Sequence, residues 1–432
     1  MKKILIITYY WPPAGGPGVQ RWLKFTKYLP EFGYEPHVYI PENPSYPILD
    51  DTLTKDINPK VKIIKNSIWE PYQIAEKLNP KNKSYKGGHF EKKESQSLMS
   101  KLSVFVRGNF FIPDARKFWI KPSIQFLKEY LQKEGIDTIV TSGPPHSMHL
   151  IGLGLKEINP NLNWIADFRD PWTQISYHKE LKLTAWADKK HKDLEYEVMT
   201  KANVVLATSY ADGDNFKKIG AKNVEVITNG FEEVKQNIEK DQEHFHITYS
   251  GGLEILRNPI SLWKALDDLI QTNQSFKQDL KLNFYGSLAE DVKQTISDNG
   301  LDSNLVVHGY VSHQESLHAI NKANILVLTN FDNDASKGII PGKLFEYMAT
   351  NNPIIAIGPN EADVQRILKE TKAGDYFNHQ DIEALKKYIL NLYNQWLANP
   401  NNVYQTNLDE VAKFNRKNLT QRLSEVIHNM KS

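Results

Sequence analysis

The second half of the chain carries charged residues whose types and spacing suit the binding of a diphosphate. Arg257 lies in SGGLEILRNP (250–259), and Lys343 and Glu346 lie in IIPGKLFEYMA (339–349). An arginine can bind a diphosphate through two parallel hydrogen bonds, and a lysine adds positive charge. A carboxylate such as Glu346 can accept hydrogen bonds from two ribose hydroxyls. The structural alternatives are a solvent-facing arginine and an ordinary amphipathic helix.

Small residues accompany these charges. Gly251 and Gly252 lack a Cβ, so their backbone can approach a ligand closely. Pro341 and Gly342 stand where we expect a helix to begin, so the amides of Gly342 and Lys343 would point at a bound anion. The segment therefore combines backbone donors with a cationic side chain.

The first half of the chain contains polar residues of types that can act in catalysis. Arg169 and Asp170 lie in DFRDPW (167–172), and His146 lies in SGPPHS (142–147). Their candidate roles are contact with an acceptor hydroxyl, general base catalysis and charge stabilisation. The structural alternatives are a buried ion pair and a surface histidine satisfied by a partner.

A third loop in the first half, YYWPPAGGPG (9–18), follows the first apolar run. Gly15 and Gly16 allow close approach of the backbone to a phosphate or a sugar. The loop lacks the GxGxxG pattern, and no acidic residue ends the next apolar run, which argues against a dinucleotide dehydrogenase. A plain strand-to-helix turn is the alternative.

Two possible metal signals are weak. Asp332-Asn333-Asp334 spells DxD, but it lies in a predicted turn, where Asp and Asn are common for local reasons. The 13 histidines include no HExxH pattern. We predict neither a metal nor a bound cofactor.

The elements that must position these loops are short apolar runs alternating with longer amphipathic segments, which is typical of parallel sheets covered on both faces. The predicted strands are 4–8, 36–40, 61–64, 137–141, 164–166, 204–207, 224–227, 247–250, 280–285, 305–308, 325–328 and 354–357. The predicted helices include 20–32, 122–133, 146–156, 185–199, 259–271, 314–321, 343–350, 362–370, 382–396 and 409–430. Ligands of such sheets bind beyond the carboxyl ends of the strands.

A polar stretch at 232–243 interrupts this rhythm and is the predicted linker. We expect two Rossmann-like α/β domains, at 1–231 and 244–408. We expect a final helix at 409–432 that packs back on the first domain. The 432 residues suffice for two such cores.

Composition narrows the class of protein. Hydrophobic residues make up 40% and charged residues 24%, a globular balance. The net charge of +2 gives no indication of nucleic-acid binding, and the lack of cysteine excludes disulfides and thiolate metal sites. We find neither a signal peptide nor an apolar stretch of about 18 residues, so a cytoplasmic location is expected.

The segment 79–121 does not fit the alternation. Residues 79–100 are polar and predict a mobile loop. Residues 101–121 interleave aromatic with basic side chains, a pattern that allows peripheral contact with the inner face of the cell membrane. The alternative is that the aromatic rings are packed in the core and the charges are merely solvated.

With these residues in view, nearly the whole chain resembles glycosyltransferase family 4, a group of GT-B enzymes, and in particular its bacterial surface-polysaccharide members. The resemblance rests on PPAGGPGVQR, SGPPHS, DFRDPW, ITNGF, YSGGLEILRNP, VVHGYV and PGKLFEYMATNNPIIA. It implies that Glu346 binds the donor ribose and Arg257 the diphosphate. It also implies that the backbone around Gly309, Tyr310 and Val311 contacts the base.

The sequence departs from the family pattern in three places. The first glutamate of the E-x7-E signature falls on Gly338, an arginine often found before the leucine is Gly252, and a histidine common in the fifth-strand loop is replaced around Arg169 and Asp170. These departures concern the identity of the sugar and the catalytic assignment.

The resemblance implies that 1–231 is the acceptor-side domain and 244–408 the nucleotide-sugar-binding domain, and that the two face each other across a cleft. It implies a retaining, metal-independent glycosyltransferase that uses a UDP- or GDP-sugar as donor substrate. The expected acceptor is a glycan or a lipid-linked glycan in surface polysaccharide biosynthesis. Two alternatives stay open: a sugar-nucleotide 2-epimerase of the same fold, and a non-catalytic module that binds nucleotide or glycan.

Overall fold

A computed structural model describes residues 1–70, 98–232 and 239–430 of the chain. The chain folds into two compact units, Met1–Thr228 with Arg416–Ser432, and Asn229–Asn415. Most of the predicted loop at 79–100, and residues 233–238 of the predicted linker, lie outside the described residues.

The first unit contains a seven-stranded parallel sheet in the order β3-β2-β1-β4-β5-β6-β7. Its strands are β1 Lys2–Thr8, β2 Tyr34–Pro41, β3 Lys62–Asn66, β4 Thr138–Gly143, β5 Asn163–Phe168, β6 Val204–Ala207 and β7 Val224–Val226. Its helices before the linker are α1 Pro17–Tyr28, α2 Leu98–Phe110, α3 Ile120–Glu134, α4 Ser147–Ile158, α5 Ala185–Lys201 and α6 Tyr210–Ile219. The strand order reverses between β1 and β4, which pair up to Thr8 opposite Ser142.

The second unit contains a six-stranded parallel sheet in the order β10-β9-β8-β11-β12-β13. Its strands are β8 Phe245–Ser250, β9 Leu280–Tyr285, β10 Leu305–Gly309, β11 Ile325–Thr329, β12 Ile354–Ile357 and β13 Gly374–Phe377. Its helices are α7 Ile260–Thr272, α8 Gln274–Asp279, α9 Glu290–Asp298, α10 His313–Lys322, α11 Lys343–Ala349, α12 Asp363–Thr371, α13 Ile382–Ala398 and α14 Leu408–Ala412. Here the order reverses between β8 and β11.

Apolar packing explains the elements. The central strands are buried along almost their whole length, as expected for parallel strands covered on both faces. The second unit has one large cluster of buried hydrophobic residues, and the first has two, one on each face of its sheet. The two α/β sheets confirm the predicted fold class.

The prediction of one helix at 409–430 is wrong, because the chain forms α14 and then α15, Arg416–Asn429. Between them the backbone of Asn415 bridges Phe231 in a strand-like pairing, and Phe231 N–H donates to the Phe414 carbonyl. This pairing interrupts the helical hydrogen bonds. The second helix returns to the first unit, as expected, and buries Leu423 and Ile427 in one of its cores.

Candidate active site

The predicted site loops of the second unit leave β8, β10 and β11, on both sides of the point where its strand order reverses. Open α/β sheets bind ligands at such points, because adjacent loops diverge there and leave a crevice. In this unit, Gly251 follows β8 with a φ of 109°, a conformation that glycine adopts without strain. Lys343 lies beside this glycine, with its Nζ 3.4 Å from the position that a Cβ would take.

Lys343 is held over the loop that follows β8. Its Nζ donates to the carbonyl of Ser250 at 2.9 Å and lies 3.8 Å from the centre of the Tyr249 ring. The side chain is only half-buried overall, but its nitrogen is enclosed by these two groups. Burial and the nearby charge of Arg257 lower the pKa of Lys343 to about 7, while Glu346 opposes the shift. A diphosphate would restore the charge, because an anion stabilises the protonated amine.

Arg257 lies beside this lysine at the end of the same loop. Its guanidinium donates from Nη2 to the Gly252 carbonyl at 3.3 Å and lies 5.6 Å from the centre of the Phe331 ring. Within the described residues its Nε has no hydrogen-bond partner although it is buried. The group is therefore fixed in place and still has a donor to offer a ligand.

Glu346 lies one turn into α11, half-exposed, with its Oε1 3.9 Å from Nε2 of His313. The next residue, Tyr347, is buried, and its hydroxyl accepts from the Ser250 N–H at 2.9 Å, which ties α11 to the end of β8. Pro341 and Gly342 precede this helix, with Gly342 in helical geometry at its N-cap. The structure thus brings Gly251, Arg257, Lys343 and Glu346 to one edge of the sheet.

The loop after β10 lies at the same edge. Gly309 has a φ of 70°, and its carbonyl accepts from the Gly286 N–H at 2.7 Å. The side chain of Tyr310 is 96% exposed, while Val311 is half-buried. The turn therefore presents backbone and an open aromatic ring beside the loop after β9.

In the first unit, the loop after β1 is joined to the segment 48–50 by backbone hydrogen bonds. Gly15 N–H donates to the Ile48 carbonyl at 2.9 Å, and Asp50 N–H donates to the Pro13 carbonyl at 2.8 Å. A Cβ on Gly15 would lie 2.9 Å from the Ile48 side chain, so the glycine is required by packing. Gly16 has a φ of 92° and open space around it. Of the two, Gly16 is the one that leaves backbone available to a ligand.

Arg169 leaves β5 and lies against this loop. Its guanidinium is 5.7 Å from the Tyr10 ring centre, packs on Gly18 where any side chain would clash, and donates to the Pro144 carbonyl. The next residue, Asp170, is exposed. Partial loss of solvation by neighbouring atoms raises the pKa of Asp170, and the positive charge of Arg169 opposes the rise. Because the carboxylate still reaches solvent, we expect it to be ionised near neutral pH.

His146 is 7% exposed and stacks face to face on Trp172, with ring centres 4.8 Å apart. Burial lowers the pKa of His146 well below its usual value, with further contributions from His149 and Arg169. In the part of the chain that the structure describes, neither ring nitrogen has a hydrogen-bond partner. The ring is therefore neutral at pH 7 and able to accept or donate one hydrogen bond.

Asp167 has a structural role that the sequence did not separate from Asp170. It is fully buried, and it pairs with Arg21 and accepts hydrogen bonds from Trp22 and Ser142. Three further residues that hold site residues from behind, Tyr249, His191 and Glu195, were not predicted. The sequence signal for His191 and Glu195 would have been a polar residue at a buried position of helix α5.

Most of the second unit matches a known protein family. Residues 244–395 match the family model described as glycosyl transferases group 1. No curated protein matches the chain in sequence.

Among solved structures, a glycosyltransferase from Rickettsia africae shares the fold at a TM-score of 0.58 and 14% identity, covering 100% of this chain and 99% of that one. An E. coli protein bound with UDP-2-fluoro glucose gives a TM-score of 0.60 at 10% identity, with coverage of 100% and 99%. S. aureus TarM, in a complex that contains UDP, gives 0.55 at 12% identity, again covering 100% and 99%. The glycosyl transferases group 1 model thus covers residues 244–395, and the whole chain shares the two-domain α/β fold of these GT-B structures.

Proposed function

We propose that the chain transfers a sugar from a UDP- or GDP-sugar to a glycan or lipid-linked glycan acceptor in surface polysaccharide biosynthesis. The observation that carries the donor assignment is the placement of Arg257 and Lys343 beside Glu346 at the switch point of the second unit. Two cations suit a diphosphate, and a carboxylate one helical turn away suits a ribose diol. Gly309, Tyr310 and Val311 provide the contacts to the base.

The proposed mechanism is dissociative and retains the anomeric configuration. As the bond to the diphosphate breaks, Arg257 and Lys343 stabilise the negative charge on the leaving group. The sugar gains oxocarbenium character, and the acceptor hydroxyl attacks from the face that the diphosphate leaves, giving its proton to an oxygen of the departing diphosphate. Because the pKa of Lys343 is lowered, its amine is most fully protonated beside an anion. Its interaction with the diphosphate is therefore strongest as negative charge develops on the leaving group.

The acceptor side of the proposal rests on the first unit. Arg169 and Asp170 share the loop after β5, and neutral His146 follows the neighbouring strand β4 at the same edge of the sheet. Asp170 is the group for contact with the acceptor hydroxyl, His146 its uncharged hydrogen-bond partner, and Arg169 the fixed charge beside them.

The reaction is proposed to need no metal. The described cations beside Glu346 supply the positive charge that a metal ion would otherwise provide. Asp334 of the DxD triplet forms an ion pair with Lys337 at 3.0 Å, which gives it a local role.

Part of the proposal is peripheral contact with the inner face of the cell membrane. Among the described residues, no helix is long and apolar enough to span a bilayer. Within 101–121, Trp119 is buried against Tyr39, but Phe110 and Phe118 are 63% and 40% exposed. Lys117 Nζ lies 5.3 Å from the Phe118 ring centre and donates to the Phe110 backbone carbonyl at 2.7 Å. Exposed rings near a cation suit the interface of an anionic bilayer.

One experiment tests the function. Labelled UDP- and GDP-sugars are incubated with the protein, with and without lipid-linked glycan acceptors, and in the presence of EDTA. Acceptor-dependent release of nucleotide, unaffected by EDTA, is expected, with the product in the anomeric configuration of the donor. Interconversion of donors without an acceptor would favour the 2-epimerase, and binding without turnover would favour a non-catalytic module.

A further inference from the structure

Helix α5 holds the loop that follows β5 through two buried side chains. His191 accepts a hydrogen bond on Nδ1 from the indole Nε1–H of Trp172 at 3.1 Å. One turn further on, Glu195 accepts from the Thr173 amide at 3.3 Å and from its hydroxyl at 2.5 Å. Residues four apart lie on one helix face, so His191 and Glu195 bind the consecutive residues Trp172 and Thr173 of this loop.

Trp172 also contacts His146, one of the candidate catalytic residues. Trp172 is 2% exposed, and its ring lies parallel to His146 within 1°. The stack fixes the plane of the His146 imidazole, whose own nitrogens bond to no described group. The His146 ring also lies 5.8 Å from His149 and 5.9 Å from Phe168, but Trp172 makes the nearest and only parallel ring contact among the described residues.

The two hydrogen bonds of His191 fix which of its ring nitrogens carries the proton. Burial lowers the pKa of His191, so the ring is neutral at pH 7. Since Nδ1 accepts from Trp172, the proton lies on Nε2, which faces the Gly108 carbonyl at 3.4 Å. Gly108 packs directly on Leu181 and Leu183, so the acceptor of that proton is itself held in place.

We infer that His191 is a positioning residue for sugar transfer, acting through the Trp172 indole to orient His146 at the acceptor side. This inference rests on the proposed function. A position fixed through two side chains has a measurable signature: cutting either link should release the same ring, so the two losses should not add.

The test is a double-mutant cycle on acceptor-dependent turnover. His191→Leu removes the acceptor of the indole hydrogen bond, and Trp172→Phe keeps a ring against His146 but removes the donor. Each should lower kcat about tenfold or more, since displacement of a reacting group by ~1 Å costs up to ~100-fold. The double variant should be no slower than the slower single variant.

Three controls separate positioning from loss of structure. His191→Asn places an oxygen near the position of Nδ1 and should restore most of the turnover. Lys190→Ala, on the exposed face of the same helix, should leave it unchanged. Nucleotide affinity, measured by calorimetry, should be the same in every variant, because the donor residues lie in the other unit.

Additive losses, or full turnover in His191→Leu, would overturn the positioning role. So would equal losses in His191→Asn and His191→Leu. Failure of the proposed function has a different result: the unmodified chain would then release no nucleotide in response to any acceptor.

Discussion

Asp167 receives two hydrogen bonds from the guanidinium of Arg21, at 3.0 Å from Nε and 2.8 Å from Nη2 to the same carboxylate oxygen. Its second oxygen accepts from Trp22 Nε1 at 2.7 Å and from the Ser142 hydroxyl at 2.8 Å. Burial alone would raise the pKa of Asp167, but these partners hold it below its ordinary value. The carboxylate therefore joins α1, β4 and β5 in the core of the first unit.

We expect Asp167→Asn to lower the free energy of unfolding by about 3–5 kcal/mol, the usual cost of leaving one member of a buried ion pair unpaired. Denaturant unfolding measures this change. Asp170→Asn is the matched control, because this side chain is exposed, and it should change stability by no more than about 0.5 kcal/mol. Equal effects of the two substitutions would contradict the separation of their roles.

The same carboxylate predicts a pH dependence. Its pKa is lower in the folded state than in the unfolded state, so its stabilisation is complete above the unfolded pKa of about 3.9 and declines as the pH falls below it. The difference in stability between the unmodified chain and Asp167→Asn should therefore shrink on acidification.

The strands were predictable because buried parallel strands are short apolar runs. One strand was missed, β13, where Gly374 and Asp375 interrupt the apolar pattern at the sheet edge. Helices α2, α6, α8 and α9 were not among the predicted helices either, and in α6 Gly213 and two aspartates resemble a turn. In the structure a Cβ at Gly213 would lie 2.9 Å from Val226, so the glycine serves close packing.

The loops of the candidate site were predictable for a similar reason, because they follow apolar runs and contain glycine, proline and charge. The contacts behind them were not. His191 meets Trp172, and Tyr249 meets Lys343, only after the chain has folded, and sequence spacing carries no signal for either pair. The separation of Asp167 from Asp170 likewise depends on where β5 ends, because the strand is buried on both faces up to Phe168 and Asp170 follows in an exposed loop.

Glu346 should contribute to donor affinity. We expect Glu346→Gln to weaken binding of UDP or GDP by roughly 1–3 kcal/mol, the cost of losing hydrogen bonds to a charged acceptor. Isothermal titration calorimetry gives the affinity directly. Glu290→Gln, a highly exposed glutamate elsewhere in the same unit, is the control and should leave it unchanged. Unaltered affinity in Glu346→Gln would remove this residue from the site.

Lys343 predicts that donor binding weakens as the pH rises. With a pKa of about 7 in the free protein, this amine loses its charge between roughly pH 7 and 9, and a diphosphate prefers the charged form. Affinity should fall by up to about tenfold per pH unit in that range. Lys343→Arg, which stays charged, should give a flat profile. A flat profile in the unmodified chain would mean that Lys343 does not contact the diphosphate.

The exposed rings around Lys117 predict binding to anionic vesicles that falls with salt, because surface attraction is screened. A variant with both Phe110→Ser and Phe118→Ser should bind at least about tenfold more weakly, since each ring withdrawn from water contributes ~1.5–3 kcal/mol. Leu397→Ser, at an exposed leucine of the second unit, is the control. Vesicle sedimentation measures all three proteins. Equal binding to neutral and anionic vesicles, or none, would count against the membrane contact.

The last prediction concerns the division of labour between the units. The charged residues proposed to bind the donor lie in the second unit, while His146, Arg169 and Asp170 lie in the first. Asp170→Asn should therefore reduce turnover strongly and leave nucleotide affinity nearly unchanged, because its role is at the reacting centre.

Arg257→Ala should damage both quantities. Its contact with the diphosphate exists in the ground state and strengthens as negative charge develops on the leaving group, so affinity falls and turnover falls further. Measuring nucleotide affinity by calorimetry and turnover by nucleotide release, for both variants, separates the two effects. Full turnover in Asp170→Asn would contradict this division, as would a loss of nucleotide affinity in Asp170→Asn as large as that in Arg257→Ala.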